Sequence, residues 1–289
     1  MVNLLDMPRE IRDQVLDIIL HDPHSQPWPT TAAVEKSNTK RDPNDLSAKK
    51  IRYPPSGEPS TAIKALMLVS RQLNRECHES IDHFVKCGMA ELTVDLLVES
   101  NKWLYPTWIQ ALPYRPYIGR LLIRIRPFRS SAADVVGDPF VAAWHFGDFL
   151  NVILKYGPSF NFSRNAKPAV VKELVLDIVT DPSLVRPGGT EMEVSDQVKS
   201  LRNFMISHID GFLVVRHKRY HAPWGPILLS QVRTLRIVEY GETSACLDVL
   251  QRAHDCNVKV YEPPLKASTL PPTKPKPKSL QGSFVCRRN

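Results

Sequence analysis

Leu4-Leu5-Asp6-Met7-Pro8-Arg9-Glu10-Ile11-Arg12-Asp13-Gln14-Val15-Leu16-Asp17-Ile18-Ile19-Leu20 is the stretch behind which the rest of the chain is arranged. Its spacing predicts a helix. Asp6 can accept from the free amides of the first turn, and Pro8 stands where a missing N–H removes no bond. Ile11, Val15, Ile18 and Ile19 recur at i, i+4, i+7 and i+8 on one face, which leaves Arg12, Asp13 and Asp17 for the opposite one. A second periodic stretch answers the first. After Ser60 or Thr61, either of which can cap, Ile63, Leu66, Met67, Leu73, Cys77, Ile81 and Phe84 return every three or four residues. Arg71, Arg75, Glu76 and Glu79 are expected outside, a break is allowed near Ser70, and Gly88 ends the run. Residues 1–20 and 61–88 therefore read as a split helical hairpin.

Between the two halves, residues 21–60 hold Pro23, Pro27, Pro29, Pro43, Pro54, Pro55 and Pro59 among mixed charges, with little apolar periodicity. This composition predicts a disordered, Pro-rich insertion anchored only by Trp28 and Tyr53 and acting as a spacer. Its length is tolerable because loop-closure entropy grows only logarithmically.

From residue 89 the pattern changes. Leu92, Val94, Leu96 and Val98 alternate with polar residues, the mark of a half-buried strand. Trp103-Leu104-Tyr105-Pro106-Thr107-Trp108 follows, read as a hydrophobic plug between the hairpin and the next unit, with an exposed partner patch as its other reading. A weak repeat comes next: Ile118 to Ile123, Val171 to Leu176 and Val232 to Ile237 share a β-branched residue, Leu three later and Ile or Leu two after that. Helix candidates follow each, carrying Trp144, Phe149, Leu150, Ile153 and Leu154; then Val194, Val198, Leu201, Met205, Ile209 and Phe212; then Leu247, Leu250 and His254. Val258 to Tyr261 is expected as a last short strand. Alternating strand and helix predict, for residues 89–262, an irregular α/β (α+β) domain with a mostly parallel or mixed sheet and a partner-binding role.

Size and charge narrow the class. A chain of 289 residues with 43% hydrophobic content can bury a sizeable core. No apolar run reaches the length of about eighteen that suggests a membrane span, and the N-terminus lacks the pattern of a signal peptide. Five scattered cysteines suit a reducing compartment better than a disulfide frame, so the cytoplasm or nucleus is expected. Residues 263–289 contain Lys266, Lys274, Lys276, Lys278, Arg287 and Arg288 and no acid, so this tail, read as disordered, basic and Pro-rich, carries six of the net eight positive charges. The nearly neutral body argues against a nucleic-acid footprint.

No enzyme constellation is legible: there is no nucleophile elbow, no phosphate-binding Gly-rich loop and no dinucleotide fingerprint, and Gly188-Gly189 reads as a bend. His217 and His221 have i, i+4 spacing, but Lys218 stands where a zinc protease needs Glu and cations surround them. Cys77, His78, His83 and Cys87 lie close in sequence, yet Cys77 falls on the apolar face and reads as structural. No metal site and no cofactor are expected. Arg120, Arg124 and Arg126 share one side of a strand, opposite Leu121, Ile123 and Ile125. They form a candidate anion or partner patch, whose plainer reading is a solvated strand face guarded by charge.

Met7-Pro8-Arg9-Glu10-Ile11, followed by Val15-Leu16 and Ile19, resembles the F-box pattern, and Leu68-Val69-Ser70-Arg71-Gln72-Leu73 is similar to its last helix. The nearer likeness is to the large fungal F-box-like family, which also has a Trp-Pro-Thr-Trp segment similar to the one ending at Trp108. The chain departs from an F-box in the forty residues between its helices and in Leu73, where Trp is common. The resemblance implies a non-enzymatic interaction protein whose hairpin docks on the adaptor subunit of a cullin–RING ubiquitin ligase while the α/β domain presents a substrate. Pro8, Ile11, Val15, Leu16, Ile19, Val69 and Leu73 are the implied adaptor-binding residues. The other reading is a stand-alone scaffold whose hairpin is internal core. It expects Ile11 and Ile19 buried, whereas docking expects an exposed apolar stripe.

Overall fold

Leu92, Val94, Leu96 and Val98 do alternate into a strand, and the strand is the second of six in one sheet. The computed structural model describes residues 4–21, 51, 62–87, 90–110, 117–128, 137–156, 168–180, 191–213, 225–239, 241–255 and 260. Among these, seven helices and a six-stranded mixed sheet make an α/β fold. The helices are α1 (Arg9–His21), α2 (Ala62–Val69), α3 (Arg71–Lys86), α4 (Pro139–Tyr156), α5 (Glu191–Leu213), α6 (Gly225–Gln231) and α7 (Val249–Asp255). The strands are β1 (Glu91–Glu99), β2 (Trp103–Gln110), β3 (Tyr117–Phe128), β4 (Val170–Ile178), β5 (Val232–Glu239) and β6 (Glu242–Asp248).

The strand order is β2-β1-β3-β4-β5-β6, with β1, β3, β4 and β5 parallel and an antiparallel strand at each edge. Each parallel step moves the same way across the sheet. Right-handed crossovers that all advance in one direction bring their helices to one face. Accordingly, Leu16 and Leu20 of α1, Ile81 and Phe84 of α3, Phe149 and Ile153 of α4, Leu201 of α5, Leu229 of α6 and Ala253 of α7 share one core with Val94, Leu96, Leu121, Ile123, Leu174, Leu176 and Ile237. Leu66 and Met67 of α2 pack against it.

Several expectations are corrected. The aromatic segment from Trp103 is a strand, β2, and not a plug between units. Its rings divide between the two faces, with Leu104 and Trp108 in the main core and Trp103 and Tyr105 in a small cluster with Leu97 and Phe128. Pro106 is tolerated because β2 lies at the edge, where one row of ladder bonds is absent. The helix expected from Leu247 begins only at Val249, because Glu242–Asp248 pairs with β5. α6 had no strong periodic signal. Ile51, inside the expected insertion, is fully buried and forms a parallel bridge to Leu104. Of Val258 to Tyr261 only Val260 is described, outside any strand. Ser60, Thr61, Gly88, Gly188, Gly189, His217, His221, the rest of the insertion and the basic tail lie outside the described residues. No described helix is long and apolar enough to cross a membrane.

Candidate functional site

The helices that carry the F-box likeness are built locally. Leu4–Asp6 forms a short 3-10 turn, and the Pro8 carbonyl accepts from Ile11 and Arg12 at 3.2 Å each, so α1 starts immediately after the proline. The expected break at Ser70 is real. Ser70 is extended at φ −152° and ψ 156°, and its hydroxyl accepts from the Leu73 amide at 3.1 Å, capping α3. Asn74 then reaches back to donate to the Met67 carbonyl at 2.9 Å and fixes the bend between α2 and α3. α3 ends at Lys86 with Cys87 as its cap.

α1 meets α3 through charge as well as through leucine. Arg12, expected on the solvent side, is buried and forks onto Glu76, donating from Nε to Oε2 at 2.9 Å and from Nη2 to Oε1 at 2.7 Å. Its Nη1 donates to the Met7 carbonyl. Gln72 donates to Glu76 at 3.1 Å, and Arg9 bridges Asp13 at 2.6 Å and Glu79 at 3.2 Å. The hydrogen bonds from Arg12 hold the Glu76 carboxyl below the usual carboxylate range, against burial, which acts the other way.

This pairing turns α1 by about one residue, roughly 100°, from its expected face. Arg12, Leu16 and Leu20 point inward, while Ile11 and Ile18 are 42% and 70% exposed. Of the implied adaptor-binding residues, Leu16 and Leu73 are therefore corrected to core: at 1% and 2% exposure they offer no surface to a partner. Ile19 is half-buried against the core, Val15 is half-buried, and Pro8, Ile11 and Val69 are exposed. Ile18 and Leu68 join them, Leu68 at 88% and Val69 at 68%. The sequence signal for Leu68 was its place directly before Val69 in the α2 motif. For Ile18 it was its i+7 relation to Ile11.

On the sheet face away from the helices, Arg120, Arg124 and Arg126 do share one side of β3. Charge there alternates strand by strand. Arg120 lies 3.2 Å from Glu91 and 3.6 Å from Glu173, Arg236 is 2.8 Å from Glu173, and Arg124 is 3.9 Å from Asp177. Arg126 is buried in a two-pronged pair with Asp95 at 2.6 and 2.7 Å. The expected anion patch is corrected to an ion-pair ladder: four carboxylates face four guanidiniums, which leaves no surplus positive charge. Burial nonetheless pushes the Asp177 carboxyl up, against Arg124 and Arg120. Between the sheet and α4 and α5 a small gap is lined by apolar groups such as Leu96, Ile125, Ala143, Phe146 and Met205, which supply contacts and no acid, base or nucleophile.

No family model, no curated protein and no solved structure matches the chain.

Proposed function

We propose that this chain is a non-enzymatic interaction protein of the F-box-like kind. It docks through α1 and α2 on the adaptor subunit of a cullin–RING ubiquitin ligase and presents a substrate from its α/β body. One observation carries the reading. Among the described residues the large hydrophobic side chains left exposed are Ile11, Ile18, Leu68 and Val69, and all four stand on the two helices where the F-box likeness lies. Singly exposed apolar residues are ordinary, but their confinement to one pair of contacting helices fits a helix-in-groove partner. Docking anchors are then Ile11, Ile18, Leu68 and Val69, with Pro8 at the start of α1.

A second reading keeps the helices as internal scaffold, and the Arg12–Glu76 pair with buried Leu16, Leu20 and Leu73 supports it for the inner face of α1 and α3. The two readings part at the outer face. Purified chain and its Ile11→Asp/Ile18→Asp variant are compared for capture of the purified adaptor subunit, with circular dichroism on both. Capture by the wild type and loss in a variant of unchanged spectrum is the expected outcome. Failure of the wild type to bind sinks the docking reading.

A further inference from the structure

The sheet has two edges, and the described chain treats them differently. At β2, Ile51 bridges to Leu104 from the outer side, and Gln110 donates to the Leu20 carbonyl at 3.3 Å. β6 pairs with β5 on one side and, among the described residues, with nothing on the other. Glu242, Thr243, Ser244, Cys246 and Asp248 are all exposed. An open edge is a row of unpaired amides and carbonyls, usually blunted by Lys, by Pro or by distortion. β6 contains neither residue, and its irregularity against β5 falls before Ala245, so the rungs of residues 245–248 are regular.

That regular part has two unlike sides. Ala245 and Leu247, opposite Ile237 and Leu235, lean on the core, whereas Cys246 and Asp248, opposite Arg236 and Thr234, take the other side. Glu242 and Asp248 put an acid at each end of the strand, and neither has a cation in ion-pair reach among the described residues. Such an edge suits an extended segment that is apolar at alternate positions and basic beside them. The chain carries one. Beyond α7, which follows β6 directly, residues 263–277 are punctuated by proline, and residues 278–289 have none. Within that run Ser283-Phe284-Val285-Cys286-Arg287-Arg288 sets two strand formers, Phe and Val, before two cations. With Phe284 and Cys286 on the side of Ala245 and Leu247, Arg287 falls on the side of Asp248. A second copy suits the edge less well. The antiparallel register that overlaps the whole of β6 sets Glu242 opposite Asp248 of the other copy, like charge on like.

We propose that residues 283–288 of this chain add to the outer side of β6 as a further strand. Residues 256–282 separate them from α7, and at about 3.1 Å per residue in extended proline-rich chain they outreach β6, whose seven residues rise about 3.3 Å each. Tethering raises the local concentration to roughly the millimolar range, so pairing too weak to hold a separate peptide is enough to hold the tail. Six cations and no acid in residues 263–289 add attraction toward the acid ends of the strand. An outside strand then reaches β6 only by displacing the tail. The proposal stands whether or not α1 and α2 dock on an adaptor.

Amide hydrogen exchange, read residue by residue along β6, tests this in the full chain, in Val285→Pro and in Val285→Ala. Proline removes an N–H and bars the ladder without changing charge, whereas alanine keeps the N–H. The outward amides of residues 245–248 are expected to exchange about tenfold or more faster in Val285→Pro than in the wild type. Val285→Ala is expected to retain most of the protection, and unchanged β5 amides check that the fold is intact. Equal exchange in the wild type and Val285→Pro overturns the proposal. So does protection in the wild type that rises with protein concentration, which would put a second copy on the edge.

Discussion

A guanidinium taken out of water needs a carboxylate within hydrogen-bond reach, and Arg12 finds one 64 positions away in Glu76. The distance along the chain explains why α1 is only partly legible. Its two apolar rows, Ile11–Ile18 and Leu16–Leu20, stand on nearly opposite sides of the helix at about 100° per residue, and periodicity alone favours the isoleucines. The choice falls to a charged residue whose partner sits on another helix, where local spacing carries no signal. The pair also sets a pH dependence. Because the folded carboxyl of Glu76 titrates below its unfolded value of about 4.3, its stabilisation is complete above that value and is lost as pH falls through and below it. Glu76→Gln is expected to melt below the wild type at pH 7, with the two melting temperatures converging on acidification. Parallel curves down to the lowest accessible pH would deny the linkage.

At the scale of elements, what alternates or caps was readable and what depends on a neighbour was not. Ser70 announces its cap by type, and β1, β3, β4 and β5 by their β-branched alternation. β2 hides behind Pro106, and β6 behind Ser and Thr on an exposed edge. The turn joining β1 to β2 shows the same dependence. Ser100 and Asn101 both take positive φ, 48° and 56°, as the two central residues of the turn that the Lys102 amide closes onto the Glu99 carbonyl at 2.8 Å, positions that favour Asn and Gly. Gly137 packs on this turn, its amide donating to the Ser100 carbonyl at 2.8 Å, and the Asn101 side chain returns a bond to the Gly137 carbonyl at 3.0 Å. A Cβ at Gly137 would meet the Ser100 carbonyl oxygen at 3.1 Å and the Lys102 side chain at 3.2 Å. Gly137→Ala is therefore expected to cost about 1–3 kcal/mol, as overpacking does. Ser100→Gly relieves a left-handed residue, worth about 1–2 kcal/mol, less about 0.5–1 kcal/mol of added unfolded-chain freedom. It also removes a buried hydroxyl that has no partner among the described residues. Opposite shifts in denaturant midpoint for the two variants check the turn; a stabilising Gly137→Ala would refute it.

Across the whole molecule, one core joins the N-terminal helices to the sheet. Phe149, at 0% exposure in the middle of α4, touches that core at its centre. Phe149→Ala is expected to cost about 3–5 kcal/mol and to lower helix circular dichroism and tryptophan fluorescence in one coincident transition. Two separate steps would mean that the helical layer unfolds by itself. The strand order has a mechanical consequence besides. The Leu20 carbonyl accepts from Gln110 on β2, while α7 packs beside β5 and follows directly from β6, so the two ends of the described chain are moored at opposite edges of the sheet. A load applied between them travels along the covalent chain and reaches the sheet at β1 only through α1, α2 and α3, and at β6 only through α7, so the terminal helices bear it before any strand does. Stretched from its ends, this protein yields from the outside in.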